Sequence, residues 1–321
     1  MTATVPLPLQ SVMHPGGPDA AIIREMAWVL FGGGTLIFVA VMVLAALGLG
    51  RRARTVRPLH WIAGAGVAFP VTVLTALLAW STWRSGQLTV QSSQLPLMVS
   101  ITARMWWWEV RYPDPAGGPD IAAANEIHIP TGRPVYVAIN SADVIHSLWV
   151  PALNGKMDAM PGRVTGLTLH ADKAGVYRGQ CAEYCGAQHA RMALHVVAHA
   201  PADYNAWLAH QRQPAAAPSH AAAGAFLARG RQAFIEQRCS ACHTIRGVGG
   251  EPDQHSRAGP DLTHVGSRLH IAAGTLRNHR GSLAGWIADP QGIKPGAHMP
   301  AATDVDGETL RALATYLESL K

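Results

Sequence analysis

Two long apolar runs come first in the chain, followed by short alternating runs and then by helix-periodic segments. From about Met26 to Leu49 there is no charge (MAWVLFGGGTLIFVAVMVLAALGL). A hydrocarbon core needs roughly 20 apolar residues in a helix, so this run is long enough to cross it. A second run, from about Leu59 to Trp80, contains WIAGAGVAFPVTVLTALLAW. Its glycines and Pro70 suit a bilayer helix, where neighbouring helices cover freed backbone groups. Trp61, Trp80 and Trp83 fall near its ends, where aromatic belts form. Together these runs predict a transmembrane helical hairpin over 26–84. Residues 1–25 are polar, with Pro15, Gly16, Gly17 and Pro18, and read as an exposed lead-in without the basic start of a cleavable signal peptide.

The pattern changes after about Ser85. LMVSITARMWWWEVRY, NEIHIP, PVYVAINS, GLTLHA and ALHVVAHA are short and β-branched or alternating, separated by turns such as PDPAGGPD and LNGKMDAMPGR. Several short strands with regular turn signals predict an all-β sandwich or barrel over 85–205. An Ala/Pro linker at 206–223, around QRQPAAAPSHAAAG, offers little to bury. Residues 224–321 read as helices: AFLARGRQAFIEQR opens the segment, and GETLRALATYLESL closes it with apolar residues at helical spacing.

Charge fixes the orientation. Only 14% of the 321 residues are charged, with a net charge of +6. The loop RRARTVRP between the apolar runs holds Arg51, Arg52, Arg54 and Arg57, and the positive-inside rule puts it in the cytoplasm. Everything after about Ser85 then faces outward, on the exported side of the membrane. These arginines are topology signals, and no basic stripe interleaved with aromatics points to nucleic acid.

All four cysteines lie in two short motifs rich in His. CAEYCGAQHARM contains Cys181, Cys185, His189 and Met192, soft sulfur and imidazole donors that suit copper. His146, in SADVIHSLWVPAL after the strand-like PVYVAINS, supplies a second imidazole in the cupredoxin manner. Two thiolates can bridge a copper pair, a site suited to electron transfer with no open position for substrate. A Cys181–Cys185 disulfide and a structural Cys-Cys-His-His zinc site are the alternatives, and neither uses Met192. His128, His170, His195 and His199 have no such company and read as surface or hydrogen-bonded residues.

These motifs resemble those of cytochrome c oxidase subunit II, whose pattern His…Cys-x-Glu-x-Cys-x-x-x-His-x-x-Met is present in full at His146, Cys181, Glu183, Cys185, His189 and Met192. The resemblance covers about Met26 to Ala202. It implies a dinuclear copper A site bridged by Cys181 and Cys185. One copper adds His146 and Met192, and the other adds His189 and the Glu183 carbonyl. It also implies that the Glu183 side chain touches a Mg or Mn ion shared with subunit I, and that Asp158 belongs to the flanking loop. In the run Trp106-Trp107-Trp108, alternation would put Trp106 and Trp108 on one strand face. Trp107 and Trp108 read as packing against the membrane domain, and Trp106 matches the family's aromatic at the electron-input surface. One departure stands out: aligned on Pro70, the Glu that serves a proton channel in many relatives falls at Ala63.

Cys239-Ser-Ala-Cys242-His243 is a Cys-x-x-Cys-His motif, in which two thiols add to haem and the adjacent His coordinates iron. Met299 in KPGAHMP is the candidate sixth ligand, with His298 as its competitor. The segment resembles class I cytochromes c, with Gly230, Phe234 and Tyr316 matching the crossing-helix contact and Pro260 bracing His243. The fold class is thus multidomain, with a transmembrane hairpin, a cupredoxin-like copper domain and an all-α cytochrome c domain. The resemblance implies an electron-input subunit of a cytochrome c oxidase, a translocase working with subunits I and III. It would pass electrons from a cytochrome donor through haem c and copper A to oxygen reduction in subunit I. A copper A-containing nitric oxide reductase subunit and a copper-delivery protein are the competing readings.

Overall fold

The computed structural model describes residues 9–50, 57–88, 96–215, 222–248 and 258–321. Two long helices come first, α1 (Pro18–Leu49) and α2 (Pro58–Ser85), and both are apolar and long enough to cross a membrane. Pro18 and Pro58 each sit in a first turn, where a missing N–H costs nothing. The part of α2 at Trp61–Ala68 is wound as a π-helix, directly ahead of Pro70. Arg84 near the end of α2 pairs with Glu25 of α1. Of the topology-signalling arginines, Arg51, Arg52 and Arg54 lie outside the described residues, as does the centre of the Ala/Pro linker.

The expected exposed lead-in is corrected. Leu9 exchanges backbone hydrogen bonds with the next domain (Leu9 N to Val176 O, 3.0 Å; Arg178 N to Leu9 O, 2.9 Å). Gly16 does the same with Ala152 and Asp172. Helix α1 starts at Pro18, eight residues ahead of the uncharged run, and Asp19, Ala20 and Ile22 are buried. The Asp19 carboxylate accepts from Asn154 Nδ2 at 2.9 Å. A polar segment without periodicity can still be structured when its backbone groups find partners.

Ten strands make the central domain: β1 (Leu97–Arg104), β2 (Trp107–Tyr112), β3 (Ile121–Ala124), β4 (Glu126–Pro130), β5 (Val135–Ser141), β6 (His146–Trp149), β7 (Lys156–Ala159), β8 (Thr165–Leu169), β9 (Gly175–Cys181) and β10 (Ala193–His199). They form two five-stranded sheets, β3-β2-β1-β5-β8 and β4-β10-β9-β6-β7. Alternation does the sorting: in β5, Val135, Val137, Ile139 and Ser141 point inward and the residues between them do not. The core between the sheets holds Ile101, Trp108, Val110, Ile127, Leu148 and Val196. Trp108 is therefore sandwich core, not packing for the membrane helices. Trp107 opens β2 half-buried beneath the Arg104 guanidinium, and Trp106 lies in the turn before it, outside the strand alternation.

Helix α3 (Pro201–Gln211) runs across the expected 205/206 boundary. Trp207 of α3 stacks on His128 of β4 with ring centroids 4.0 Å apart. Residues 211–215, assigned to a linker with little to bury, are instead bonded to the last domain: Ala215 N donates to Arg246 O at 3.0 Å, and Gln213 O meets His264 Nε2 at 3.0 Å.

That domain contains α4 (Ala222–Glu236), a small hairpin of β11 (His270–Ile271) and β12 (Leu276–Arg277), α5 (Arg280–Ala288), α6 (Pro290–Ile293) and α7 (Gly307–Ser319). Helices α4 and α7 cross at Gly230, where a Cβ would collide with the Ala312 carbonyl and Tyr316. Phe234 and Tyr316 are fully buried beside this crossing. The Asp306 side chain caps α7 by accepting from the N–H groups of Glu308 and Thr309.

Candidate metal and haem sites

The copper-pattern residues converge at one end of the sandwich. His146 opens β6, Cys181 ends β9, and the loop to β10 carries Glu183, Cys185, His189 and Met192. Register brings them together, because Leu148 of β6 pairs with Cys181 of β9 and Cys181 N donates to Met192 O at 2.9 Å. The ligand atoms of His146, Cys181 and Cys185 all lie within 4.8 Å of one another and are buried. Cys181 Sγ is 3.7 Å from Cys185 Sγ, 3.9 Å from His146 Nδ1 and 3.2 Å from the Glu183 carbonyl. Cys185 Sγ is 3.7 Å from His189 Nδ1 and 4.0 Å from Met192 Sδ. The sulfurs are not joined in a disulfide. Contact with Cys185 holds the Cys181 thiol down, at about 3, against its burial. The same contact, with burial, pushes the Cys185 thiol up.

This donor set fits soft-metal chemistry: two thiols, two imidazoles, a thioether and a carbonyl, with both sulfurs central to it. Tetrahedral zinc leaves Met192 without a role. Residue-pattern reading missed Asp143. Its Oδ1 is 2.8 Å from His146 Nε2, and its Oδ2 accepts from Met105 N at 2.7 Å. Such a carboxylate fixes the ring so that Nδ1 faces the sulfurs. Its position three residues before His146 was the available signal. The Glu183 carboxylate points elsewhere, to Lys156 Nζ at 3.3 Å, and Asp158 lies 3.9 Å from the same ammonium. A divalent ion there would have to displace that lysine.

The second site is a cavity of about 380 Å³ whose wall includes Cys239, Cys242, His243 and Met299. His243 Nδ1 meets the Pro260 carbonyl at 2.8 Å, which leaves Nε2 free to bind a metal. Burial lowers its pKa against the pull of that carbonyl, so the ring is neutral, as a ligand must be. Gly259 has no side chain because a Cβ would sit 2.5 Å from His243 Cε1. Met299 packs against the domain core, whereas the competing His298 turns its ring toward Trp106, with centroids 5.3 Å apart. Two thiols on the wall, a fixed imidazole and a thioether lining the same cavity fit a covalently attached haem.

The two sites meet at Trp106. Its ring lines the haem-pattern cavity, and its Nε1 donates to the Cys185 carbonyl at 2.8 Å. Of the four histidines read as surface or hydrogen-bonded, His195 is a correction. It is 1% exposed, neither ring nitrogen has a hydrogen-bond partner among the described residues, and it stacks on His270 at 4.3 Å.

Fold and sites together define a membrane-anchored cupredoxin-like domain joined to a cytochrome c domain. Residues 115–199 match the family of cytochrome c oxidase subunit II periplasmic domains, and residues 227–321 match cytochrome c. The chain thus joins a domain of the oxidase subunit II type, at 115–199, to a cytochrome c domain, at 227–321. Cytochrome c oxidase subunit 2 of Alkalihalophilus pseudofirmus is 37% identical over 223 residues, 70% of this chain and 61% of that protein. Subunit 2 of Bacillus sp. strain PS3 is 32% identical over 235 residues, again 70% of this chain and 62% of that protein. The solved periplasmic domain of oxidase subunit II from Bradyrhizobium japonicum aligns at 29% identity over 37% of this chain and 95% of its own, with a TM-score of 0.35. The chain spans about three fifths of the length of these two curated relatives.

Proposed function

We propose that this chain is the electron-input subunit of a respiratory cytochrome c oxidase. When bound, a covalent haem c and a dinuclear copper A pair supply one-electron transfer, from a cytochrome donor toward a subunit I that reduces oxygen to water and translocates protons. Cys239 and Cys242 would attach the haem, and His243 and Met299 would ligate its iron. His146, Cys181, Cys185, His189, Met192 and the Glu183 carbonyl would hold the copper pair.

The observation that carries this reading is Trp106, a single side chain that walls the haem cavity and hydrogen-bonds to the backbone of Cys185. The remaining residues bind and orient. Pro260 fixes the His243 tautomer, and Asp143 fixes that of His146. Burial of both sulfurs keeps water from the copper side, so little need rearrange when charge changes. The apolar helices α1 and α2 expose Leu36, Phe38, Leu74 and Leu78, a surface for lipid and for subunits I and III. Both sites would lie outside the bacterial plasma membrane. Ala63 offers no carboxylate, so this chain moves electrons and leaves proton uptake to its partner.

Metal analysis, optical and EPR spectra of the purified full chain test the proposal. A mixed-valence copper signal together with one low-spin haem per chain is the expected result. A single zinc, or a closed Cys181–Cys185 disulfide without metal, would remove its centre. Consumption of oxygen rather than nitric oxide by the assembled complex separates it from a nitric oxide reductase.

A further inference from the structure

The contact between the copper and cytochrome domains contains charges that a passing encounter would leave in water. Glu126, which opens β4, is 3% exposed. Its Oε1 accepts from the N–H groups of Leu269 (2.6 Å) and His270 (3.3 Å), both on the cytochrome side. Burial would raise its pKa, but the His128 contact, the charges of His128 and Arg268, and the Leu269 N–H outweigh burial and keep the carboxylate ionised. Lys294 answers from the other domain. It is 4% exposed, and its ammonium finds one hydrogen-bond partner among the described residues, the carbonyl of Trp106 at 2.9 Å.

The backbone between these anchors is bent to suit the contact. Ala272, Ala273 and Gly274 all have positive φ (51°, 53° and 78°), a region that alanine seldom enters. Such a conformation persists where surroundings over-determine it. Here it delivers Ala273 O to Ala193 N, 3.0 Å away on the first residue of β10, and sets His270 on His195. A buried carboxylate, a buried ammonium and a bent loop are all costly unless the partner surface is present.

We infer that Glu126 and Lys294 are positioning residues that hold the cytochrome domain docked on the copper domain, with the haem cavity fixed against Trp106, so that the cytochrome serves as a stationary relay and not as a mobile tethered carrier. The inference rests on the proposed relay for its consequence, but docking itself can be measured without electron transfer.

The test uses the full-length chain in detergent with Glu126→Ala, Glu126→Gln and Lys294→Met. Amide hydrogen exchange over 269–274 is read by mass spectrometry, and haem-to-copper electron equilibration by flash photolysis. In the parent chain the amides of Leu269 and His270 should be protected. Loss of the charged acceptor in Glu126→Ala should speed their exchange by about tenfold or more, and Glu126→Gln, which keeps an acceptor, by less. Lys294→Met retains the aliphatic volume and should slow electron equilibration with both metal spectra unchanged. Fast exchange at 269–270 in the parent chain, or electron equilibration unaltered in both Glu126→Ala and Lys294→Met, would overturn the inference. Should Glu126→Ala not fold, Lys294→Met decides alone. Absence of haem and copper from the parent chain would defeat the relay while leaving the exchange result to judge docking.

Discussion

The copper-pattern site and the haem-pattern site solve opposite problems. At the first, the donors are gathered by the protein: strand register and one loop bring His146, Cys181 and Cys185 within 4.8 Å, and both sulfurs and Met192 belong to the sandwich core itself. At the second, the donors stand around a cavity of about 380 Å³, Cys242 is exposed, and core residues such as Leu283 and Leu317 face that cavity. The copper domain carries its site on a fold complete without metal. The cytochrome domain leaves apolar side chains facing a volume that the proposed haem would fill.

The largest way to break that comparison is to stop haem attachment with Cys239→Ala and Cys242→Ala together. Without haem, apolar side chains such as Leu283, Ile287 and Leu317 lose the surface they would pack against, and several such losses of a few kcal/mol each add up. A typical domain is stable by only about 5–15 kcal/mol. The helices α4, α5 and α7 should therefore lose their exchange protection, while 97–199 stay protected and the copper signal persists. Protected α4 and α7 helices in the haem-free variant would show that the domain stands without haem.

A smaller effect separates ligands from their support. Asp143→Asn keeps the size of the side chain but removes the carboxylate that orients His146. Copper affinity should fall by about ten- to a hundredfold in a competition titration, with the melting temperature of the copper domain little changed. The haem spectrum should not move. An unchanged copper affinity would mean that strand register alone aims His146.

These two variants also mark how much was legible in the residue pattern. Cys181, Cys185, His189 and Met192 could be found together because one loop carries them, and Cys239, Cys242 and His243 because they are nearly contiguous. The hairpin, the sandwich and the helical tail were legible because period 2, period 3.6 and unbroken apolar runs reflect different burial. Asp143 was harder, since a carboxylate in a turn has many uses. Glu126 and Lys294 could not be paired with their partners at all: each meets backbone groups more than 140 residues away, across a contact that imposes no periodicity. The lead-in at 9–17 was misread for the same reason, its partners being the backbone of Ala152 and Val176. Trp106 was matched by resemblance, but its place between the two sites needed the docked domains.

The smallest effect concerns acid, and it acts where the two regions touch. Burial, then the neighbouring His270 and Arg178, depress the His195 pKa to about 4, with Glu126 pulling the other way. His270 is depressed too, first by burial, with Arg178 and Arg277 adding to it and Glu126 opposing. Both rings are thus neutral in the folded chain at pH 7. Once unfolded, an imidazole takes up a proton below about pH 6.5. Between that value and about 4, the unfolded chain binds more protons than the folded one, so stability is fully present above pH 6.5 and declines as pH falls through the window. For His195 the loss should be about 1 kcal/mol by pH 5.5. Glu126 adds a loss of the same sign at lower pH, because its folded value is depressed and protonation removes an anion that the fold stabilises. Denaturant titrations of the full chain between pH 7 and pH 5 should show the slope, and His195→Phe should flatten it while keeping a ring against His270. A slope unchanged by that substitution would place the acid-sensitive group elsewhere, and would separate the stacked histidines from the stability of the contact they occupy.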